Sequence, residues 1–168
     1  MSINQSNTKF FAKLAFEQAK INLGSTGVNP SVGCVVVKND TIISSGHTSL
    51  KGRPHAEEKA LKKKINFKNA KIYVTLEPCF HHRKTIACSR LISKKEIKSV
   101  NFTLFDEDKR TSHKTIKYYN QKKIKIKYGI LKKLGKDFYK SYILFHRKKF
   151  PLIDAKIAIS KDYFTKNT

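Results

Sequence analysis

The sequence predicts an α/β protein built as a three-layer α/β/α sandwich around a mixed central sheet. Short runs of β-branched and aromatic residues bounded by turns predict strands, and longer segments with apolar residues every three or four positions predict helices. The two patterns alternate along the chain, an order typical of a sheet with helices on both faces. With 168 residues, of which 39% are hydrophobic, the chain is long enough for one domain with a buried core.

Each element is predicted from its own local pattern. Residues 32–38 are a β-branched run, and a turn of Asn39 and Asp40 leads into a second strand, which predicts a hairpin. A helix is predicted from His55 because Pro54 precedes it and acidic residues fill its first turn, where the helix dipole favours negative charge. The predicted strands are residues 32–38, 41–46, 71–77, 98–105, 124–131 and 152–160, and the predicted helices are residues 10–23, 55–64, 88–95, 111–123 and 134–149.

The formal net charge of +24 suggests nucleic acid as a partner, but the distribution of the basic residues argues against it. Arginine is the side chain best suited to bidentate contacts with phosphates and bases. Few of the 36 basic residues are arginine, namely Arg53, Arg83, Arg90, Arg110 and Arg147. The lysines are spread over every segment, whereas a nucleic-acid-binding face clusters them. We therefore expect no nucleic-acid partner and interpret the lysine content as a drift in residue usage across the whole chain.

The apolar pattern and the cysteine count predict a cytoplasmic protein. No apolar stretch approaches the ~18 residues of a membrane span, and the N-terminus lacks the layout of a secretory signal. The chain has three cysteines, an odd number, and in a reducing compartment a close cysteine pair is more often a metal site than a disulfide. Cys34, within a β-branched run, is predicted to be a buried core thiol.

Two short stretches carry the predicted chemistry: EPCFHHRKTIAC, residues 77–88, and PHAEEKAL, residues 54–61. They contain His55, Cys79 and Cys88, an imidazole and two thiols of the kind that Zn²⁺ prefers. Three protein ligands leave one coordination position open for water, which is the arrangement of a catalytic zinc site. We therefore predict a zinc cofactor held by these three side chains.

Glu57 is the predicted proton carrier beside the metal. At ~100° per residue, side chains two positions apart on a helix diverge, so Glu57 is expected to face the cleft rather than to bind the metal with His55. There it would take a proton from water and deliver it to a leaving amine. Glu58 is predicted to be a solvated acid of the first helical turn. An alternative remains open, a closed structural zinc site in which His81 or His82 is the fourth ligand.

The stretches NPSVGCVVV, GRPHAE and YVTLEPC closely resemble the deaminase half of the bacterial riboflavin-biosynthesis deaminase–reductase. The resemblance covers residues 10–160 and includes the eight residues between Cys79 and Cys88, where the usual base deaminases have two. It implies a cytidine-deaminase-like fold and a zinc-dependent hydrolase acting on a cyclic amidine C–N bond. The implied substrate is 2,5-diamino-6-(ribosylamino)pyrimidin-4-one 5′-phosphate, which loses its 2-amino group as ammonia and becomes 5-amino-6-(ribosylamino)uracil 5′-phosphate.

The resemblance also implies residue roles. It places the zinc ligands at the imidazole and two thiols named above, and the proton-transferring carboxylate at Glu57. The implied substrate contacts are Asn29, His47, His81, Lys84 and Asp106. Residues 80–87 and 106–115 depart from the family pattern. Asp108 stands where the family has an amide, and its carboxylate is predicted to repel the substrate phosphate.

Residues 1–149 are predicted to form the deaminase domain, and residues 150–168 resemble the start of a reductase domain. No glycine-rich nucleotide site follows them, so we expect no NADPH binding; either a separate protein supplies the reductase or the gene is truncated. The other expected partners are the phosphorylated pyrimidine and further copies of the chain in a homo-oligomer, with no membrane. Two other functions remain open: a deaminase of tRNA bases or free nucleosides, and a non-catalytic RNA-binding protein that retains zinc.

Overall fold

A five-stranded sheet organises the fold in the computed structural model, which describes residues 3–81, 86–148 and 152–161. The strands are β1 (Gly33–Lys38), β2 (Thr41–His47), β3 (Lys71–Leu76), β4 (Ser99–Leu104) and β5 (Lys125–Tyr128). The helices are α1 (Ile3–Lys20), α2 (Ala56–Leu61), α3 (Cys88–Lys94), α4 (Lys114–Gln121), α5 (Lys132–Phe138) and α6 (Lys140–His146). None of the described helices combines the length and the apolar character needed to cross a membrane.

The strands lie in the order β2-β1-β3-β4-β5 across the sheet. β1 pairs antiparallel with both β2 and β3, whereas β3, β4 and β5 are parallel. The hairpin turns at Asn39 and Asp40, which have φ of 51° and 55°, the backbone that matches the twist of two flanking strands. Helices α3 and α4 connect the parallel strands, since parallel neighbours need a crossover. The mixed central sheet predicted from the sequence is confirmed.

Alternating side chains of β1 supply both faces of the sheet. Val35 and Val37 lie in one buried cluster with side chains of α1. Cys34 and Val36 point to the opposite face, into a larger cluster that includes side chains of α2 and α3. Helices therefore cover the sheet on both sides, and the predicted three-layer α/β/α sandwich is confirmed.

Two glycines allow helices to contact the hairpin backbone. A Cβ atom added at Gly33 would lie 1.8 Å from the carbonyl oxygen of Ala15 in α1. One added at Gly46 would lie 2.3 Å from the carbonyl oxygen of Ala56 in α2. The absence of a side chain at Gly46 thus lets the first turn of α2 lie directly against β2, which fixes the position of the residue that precedes the helix.

The structure changes the bounds of the predicted helices, most of all those of the first and the last. The predicted helix 10–23 begins at Ile3, because its first turns are polar and give no apolar pattern from which to predict them. The predicted helix 134–149 is divided at Tyr139, whose backbone (φ −95°, ψ 12°) departs from helical geometry. The hydroxyl of Tyr139 lies 2.6 Å from Oγ1 of Thr75 and donates a hydrogen bond to the carbonyl of Ser31. These contacts hold the side chain against β3 and the residues that precede β1.

Residues 152–160 do not form the strand that the sequence predicted, so that prediction is wrong. They pair with none of the five described strands. Ile153 is 82% exposed and Ile157 is 73% exposed. The alternating apolar residues satisfy the sequence pattern of a strand, but a strand also needs a neighbouring edge with free peptide groups.

We predict that Gly33→Ala lowers the free energy of unfolding by about 1–3 kcal/mol, because the new methyl group would overlap the backbone of α1. Urea unfolding of the zinc-loaded protein measures the change. Ser45→Ala, at an exposed position of β2, is the matched control and should stay within about 0.5 kcal/mol of the parent. Equal stability of the two variants would show that α1 does not contact β1 as closely as described.

Candidate metal centre

An imidazole and two thiols converge beyond the carboxyl end of β3. The ligand atoms of His55, Cys79 and Cys88 all lie within 4.8 Å of one another. Nδ1 of His55 lies 3.6 Å from Sγ of Cys79 and 3.4 Å from Sγ of Cys88. The backbone N–H of Cys88 donates a hydrogen bond to Sγ of Cys79 over 3.2 Å. The three side chains that the sequence predicted as zinc ligands are thus brought together by the fold.

Each of the three side chains is held at the boundary of a helix or strand. His55 immediately precedes α2 and has extended backbone, with φ −69° and ψ 162°. Cys79 follows β3 after Pro78, and Cys88 is the first residue of α3. The N–H of Ser89 donates to the carbonyl of Cys79 over 3.1 Å, which ties the start of α3 to the loop that carries the other sulfur.

The two sulfurs share a hydrogen bond that separates their pKa values. The hydrogen bond from Cys88, followed by that from His55, lowers the pKa of Cys79 to about 4. The same contact with Cys79, together with burial, raises the pKa of Cys88 well above its usual value. The arrangement favours one thiolate next to the imidazole, and a divalent cation bound by both sulfurs would displace the proton that remains on the pair.

This set of donor atoms suits zinc. One imidazole nitrogen and two sulfurs match the ligands of tetrahedral zinc and leave one coordination position for another molecule. In the part of the chain that the structure describes, the metal-ligating group consists of these three side chains. His81, considered as a fourth ligand, instead lies with Nδ1 3.2 Å from Oγ1 of Thr111. His82, the other candidate, lies outside the described residues.

Glu57 lies in α2 two residues after His55 and is 3% exposed. Burial, and then the negative charge of Cys79, raise the pKa of the Glu57 carboxyl to about 7. The side chain lines the same cavity as His55 and Cys79. A carboxyl group in such a position can both accept and release a proton near neutral pH.

A cavity of about 330 Å³ opens beside the metal-ligating group. Of the five predicted substrate contacts, the residues that line it are Asn29, His81 and Asp106. His47 is not among the lining residues, and its Nε2 lies 2.9 Å from Nζ of Lys59. Lys84 lies outside the described residues. The substrate-binding roles of all five stay predictions.

Glu77 organises the loop of residues 106–115, a role that the sequence analysis missed. The carboxylate is 3% exposed and accepts hydrogen bonds from the hydroxyl of Thr115 at 2.6 Å and from three backbone N–H groups, at Asp106 (3.3 Å), His113 (3.0 Å) and Thr115 (3.3 Å). Because Glu77 lies two residues before Cys79, it connects this loop to the metal-ligating segment. The available signal was a carboxylate at the end of an otherwise apolar strand.

A second carboxylate, that of Asp106, holds the same loop from the other side. Its Oδ1 accepts a hydrogen bond from the hydroxyl of Tyr142 in α6 at 2.7 Å and one from the N–H of Asp108 at 3.0 Å. Tyr142 also lines the cavity. It was part of the predicted helix 134–149, but nothing in the sequence pattern assigned it to the site.

Asp108 was predicted to repel a substrate phosphate, and the structure pairs its carboxylate with Arg110. Nε of Arg110 donates to both carboxylate oxygens, at 2.9 Å and 3.0 Å, and Nη2 also donates to Oδ2. Arg110 lowers the pKa of Asp108 to about 2, so the carboxylate is ionised. Its negative charge is compensated by a cation in contact with it, which weakens the expected repulsion.

The purified protein should contain about one zinc ion per chain, and Cys79→Ser should lose it, because a hydroxyl is a poor replacement for a thiolate ligand. Zinc content is measured by mass spectrometry of the metal after gel filtration. Cys34→Ala is the matched cysteine control, since Cys34 lies fully buried in β1 and outside the metal-ligating group. Zinc retained in Cys79→Ser, or lost in Cys34→Ala, would contradict the assignment.

The sequence is similar to a known family and to proteins of riboflavin biosynthesis. Residues 5–104 match the family model described as the cytidine and deoxycytidylate deaminase zinc-binding region. The diaminohydroxyphosphoribosylamino-pyrimidine deaminase of Buchnera aphidicola subsp. Acyrthosiphon pisum is 35% identical over 146 residues, covering 86% of this chain and 99% of that protein. The riboflavin biosynthesis protein RibD of Bacillus amyloliquefaciens is 35% identical over 155 residues, covering 92% of this chain and 42% of that protein.

A solved structure shows the same similarity to the deaminases of riboflavin biosynthesis. A diaminohydroxyphosphoribosylaminopyrimidine deaminase/5-amino-6-(5-phosphoribosylamino)uracil reductase from Thermotoga maritima superposes with a TM-score of 0.81 at 34% identity, over 86% of this chain and 42% of that one. The chain thus spans about two fifths of these longer relatives and nearly the whole of the Buchnera deaminase. The converged zinc ligands, the fold and these relatives establish that the chain belongs to the cytidine and deoxycytidylate deaminase zinc-binding family, among the deaminases of riboflavin biosynthesis.

Proposed function

We propose that this chain hydrolyses 2,5-diamino-6-(ribosylamino)pyrimidin-4-one 5′-phosphate to 5-amino-6-(ribosylamino)uracil 5′-phosphate and ammonia. The observation that carries the proposal is the position of the buried Glu57 carboxyl in the same cavity as His55 and Cys79. A relative whose whole length the chain covers, the Buchnera protein, is named as the deaminase of this diaminopyrimidine, which supports the choice of substrate.

His55, Cys79 and Cys88 would hold the zinc ion through one nitrogen and two sulfurs. When bound, zinc supplies Lewis-acid activation of the water molecule that replaces the amino group. The two cysteines contribute negative charge that balances the charge of the cation, and the imidazole of His55 is fixed by its place at the start of α2. The chain thereby provides a pre-formed set of ligands beside the substrate cavity.

Glu57 carries protons through the reaction. Its carboxylate accepts a proton from water as the C–O bond forms at the amino-bearing carbon. The resulting carboxylic acid gives this proton to the adjacent ring nitrogen. The carboxylate then takes the proton of the new hydroxyl group and passes it to the amino group as the C–N bond breaks, so that the carbonyl forms, ammonia leaves and the carboxylate is restored. A pKa raised by burial suits both half-reactions, because neither protonation state is strongly favoured near neutral pH.

The pyrimidine ring would occupy the cavity between the metal-ligating group and the 106–115 loop. We propose that Asn29, His81 and Asp106 contact it there, since all three line the cavity. Glu77 and Tyr142 act as positioning residues, because their hydrogen bonds fix the loop that carries Asp106.

The product would pass to a reductase. The relative from Thermotoga maritima is named as a deaminase and a reductase together, and the chain spans 42% of it. We propose that residues 1–149 form the deaminase unit and that a reductase partner consumes its product. Assembly into a homo-oligomer stays a prediction.

The substrate is tested by incubating the zinc-loaded protein with the diaminopyrimidinone ribotide, with cytidine and with tRNA. We expect ammonia from the ribotide at a rate at least about 10³-fold above the cytidine background, because a site built for other polar groups rejects an analogue that leaves them unpaired. A coupled glutamate dehydrogenase assay measures the ammonia. Ammonia from tRNA or cytidine alone would replace the proposed substrate with a nucleic-acid base or a nucleoside.

Glu57→Gln should retain zinc and lose turnover by about 10²–10⁴-fold, because the amide keeps the shape of the side chain but cannot carry a proton. Steady-state rates and zinc content are measured on the same preparation. Glu58→Gln is the matched control, since Glu58 follows Glu57 in α2 but lies outside the cavity lining. Near-parental activity of Glu57→Gln would remove Glu57 from the proton-transfer role.

A further inference from the structure

We propose that Arg110, oriented by Asp108, binds the 5′-phosphate ester of the substrate and makes the enzyme selective for the phosphorylated form. The inference rests on the proposed deaminase function and assigns a residue at which the sequence suggested no substrate contact. Both residues line the cavity that opens beside the metal-ligating group.

The orientation of Arg110 is fixed by several contacts with one neighbour. Its backbone N–H donates to Oδ1 of Asp108 at 2.9 Å, and its side chain donates to the same carboxylate through Nε and Nη2. The backbone carbonyl of Asp108 also accepts a hydrogen bond from the N–H of Thr111 at 2.8 Å. The arginine is therefore held at both its main chain and its guanidinium group.

Among the residues that the structure describes, these contacts leave the outer part of the guanidinium group for an anion. A guanidinium has five N–H donors in a planar fork, and the contacts with Asp108 use those at Nε and one side of Nη2. The edge formed by Nη1 and the second donor of Nη2 has the spacing of two phosphate oxygens. An arginine whose other edge is already anchored has less side-chain freedom to lose when it binds.

The exposure of the cavity residues indicates which end of the substrate each would contact. At the closed end, Glu57 is 3% exposed. The Arg110 side chain is 49% exposed, so it lies where the cavity meets solvent. A ribotide bound with its pyrimidine at the buried metal-ligating group would direct its ribose phosphate outward, toward Arg110.

Electrostatics also favour a cation in the lining of this cavity. Glu57, Glu77, Asp106 and Asp108 all line the cavity, and a phosphate dianion would meet an acidic surface without compensation. Arg110 neutralises Asp108 and presents its remaining N–H donors. Arg53 lines the same cavity and adds a second positive charge to the field that attracts the anion.

The test measures binding in a Glu57→Gln background, in which turnover of the bound substrate is strongly reduced. Isothermal titration of the zinc-loaded protein compares the ribotide with the corresponding riboside, which lacks the phosphate. We expect the ribotide to bind at least about 10-fold more tightly than the riboside, and Arg110→Gln to abolish most of this ratio without changing riboside binding. Arg110→Lys, which keeps the charge but not the fork, should retain an intermediate ratio.

Arg147→Gln is the matched control. Arg147 also forms a bidentate pair with a carboxylate of the same loop, that of Glu107, at 2.7 Å and 3.0 Å, but it lies outside the cavity lining. Its ratio of ribotide to riboside affinity should equal that of the parent. The thermal midpoint of each variant identifies any loss of folding. Such a loss would lower the affinities for ribotide and riboside together.

The outcomes separate this inference from the proposed function. An unchanged affinity ratio in Arg110→Gln, or equal binding of ribotide and riboside by the parent, overturns the role of Arg110 even if the wild-type protein releases ammonia. If the affinity ratios are as expected but the wild-type protein releases no ammonia from the ribotide, the proposed reaction is overturned and Arg110 remains a phosphate ligand. Failure of the ribotide to bind the parent overturns both.

Discussion

The fold must bring one imidazole and two thiols, from three separate segments, to within 4.8 Å of one another. His55 reaches this point because it precedes α2, which lies directly against β2 at Gly46. Cys79 reaches it from the end of β3, and Cys88 from the start of α3, a helix that packs against α2. The positions of the three ligand atoms therefore depend on the sheet order, on the close approach of α2 to β2 and on the loop after β3.

The buried carboxylate of Glu77 extends this constraint from the metal ligands to the neighbouring cavity. It accepts main-chain N–H groups from both ends of the 106–115 loop, and a buried N–H without a partner costs about 1–3 kcal/mol. The loop has no helix or strand up to Lys114 and depends on these contacts for its conformation. Because Glu77 is two residues from Cys79, the geometry of the metal centre and that of the loop are set by one segment.

Local pairs, rather than the net charge of +24, determine the electrostatics of the cavity. The lysines are spread over every segment of the chain, whereas four carboxyl groups line the cavity beside the metal-ligating group. The Glu57 carboxyl has its pKa raised by burial, and the Asp108 carboxyl has its pKa lowered by Arg110. Two acids in one cavity thus have different protonation behaviour because one is dry and the other contacts a cation.

The sequence by itself determined the α/β class, the hairpin and the zinc-binding side chains, because these depend on local propensity, short spacing and the chemistry of residue types. It did not determine the polar start of α1 or the division of the last helix at Tyr139, nor the absence of a strand at residues 152–160 among the described residues. The positions of the 106–115 loop and of Arg110 were decided only by the tertiary structure. They depend on hydrogen bonds to Glu77 and Tyr142, residues about thirty positions away on either side of the loop, and no local pattern specifies contacts over that separation.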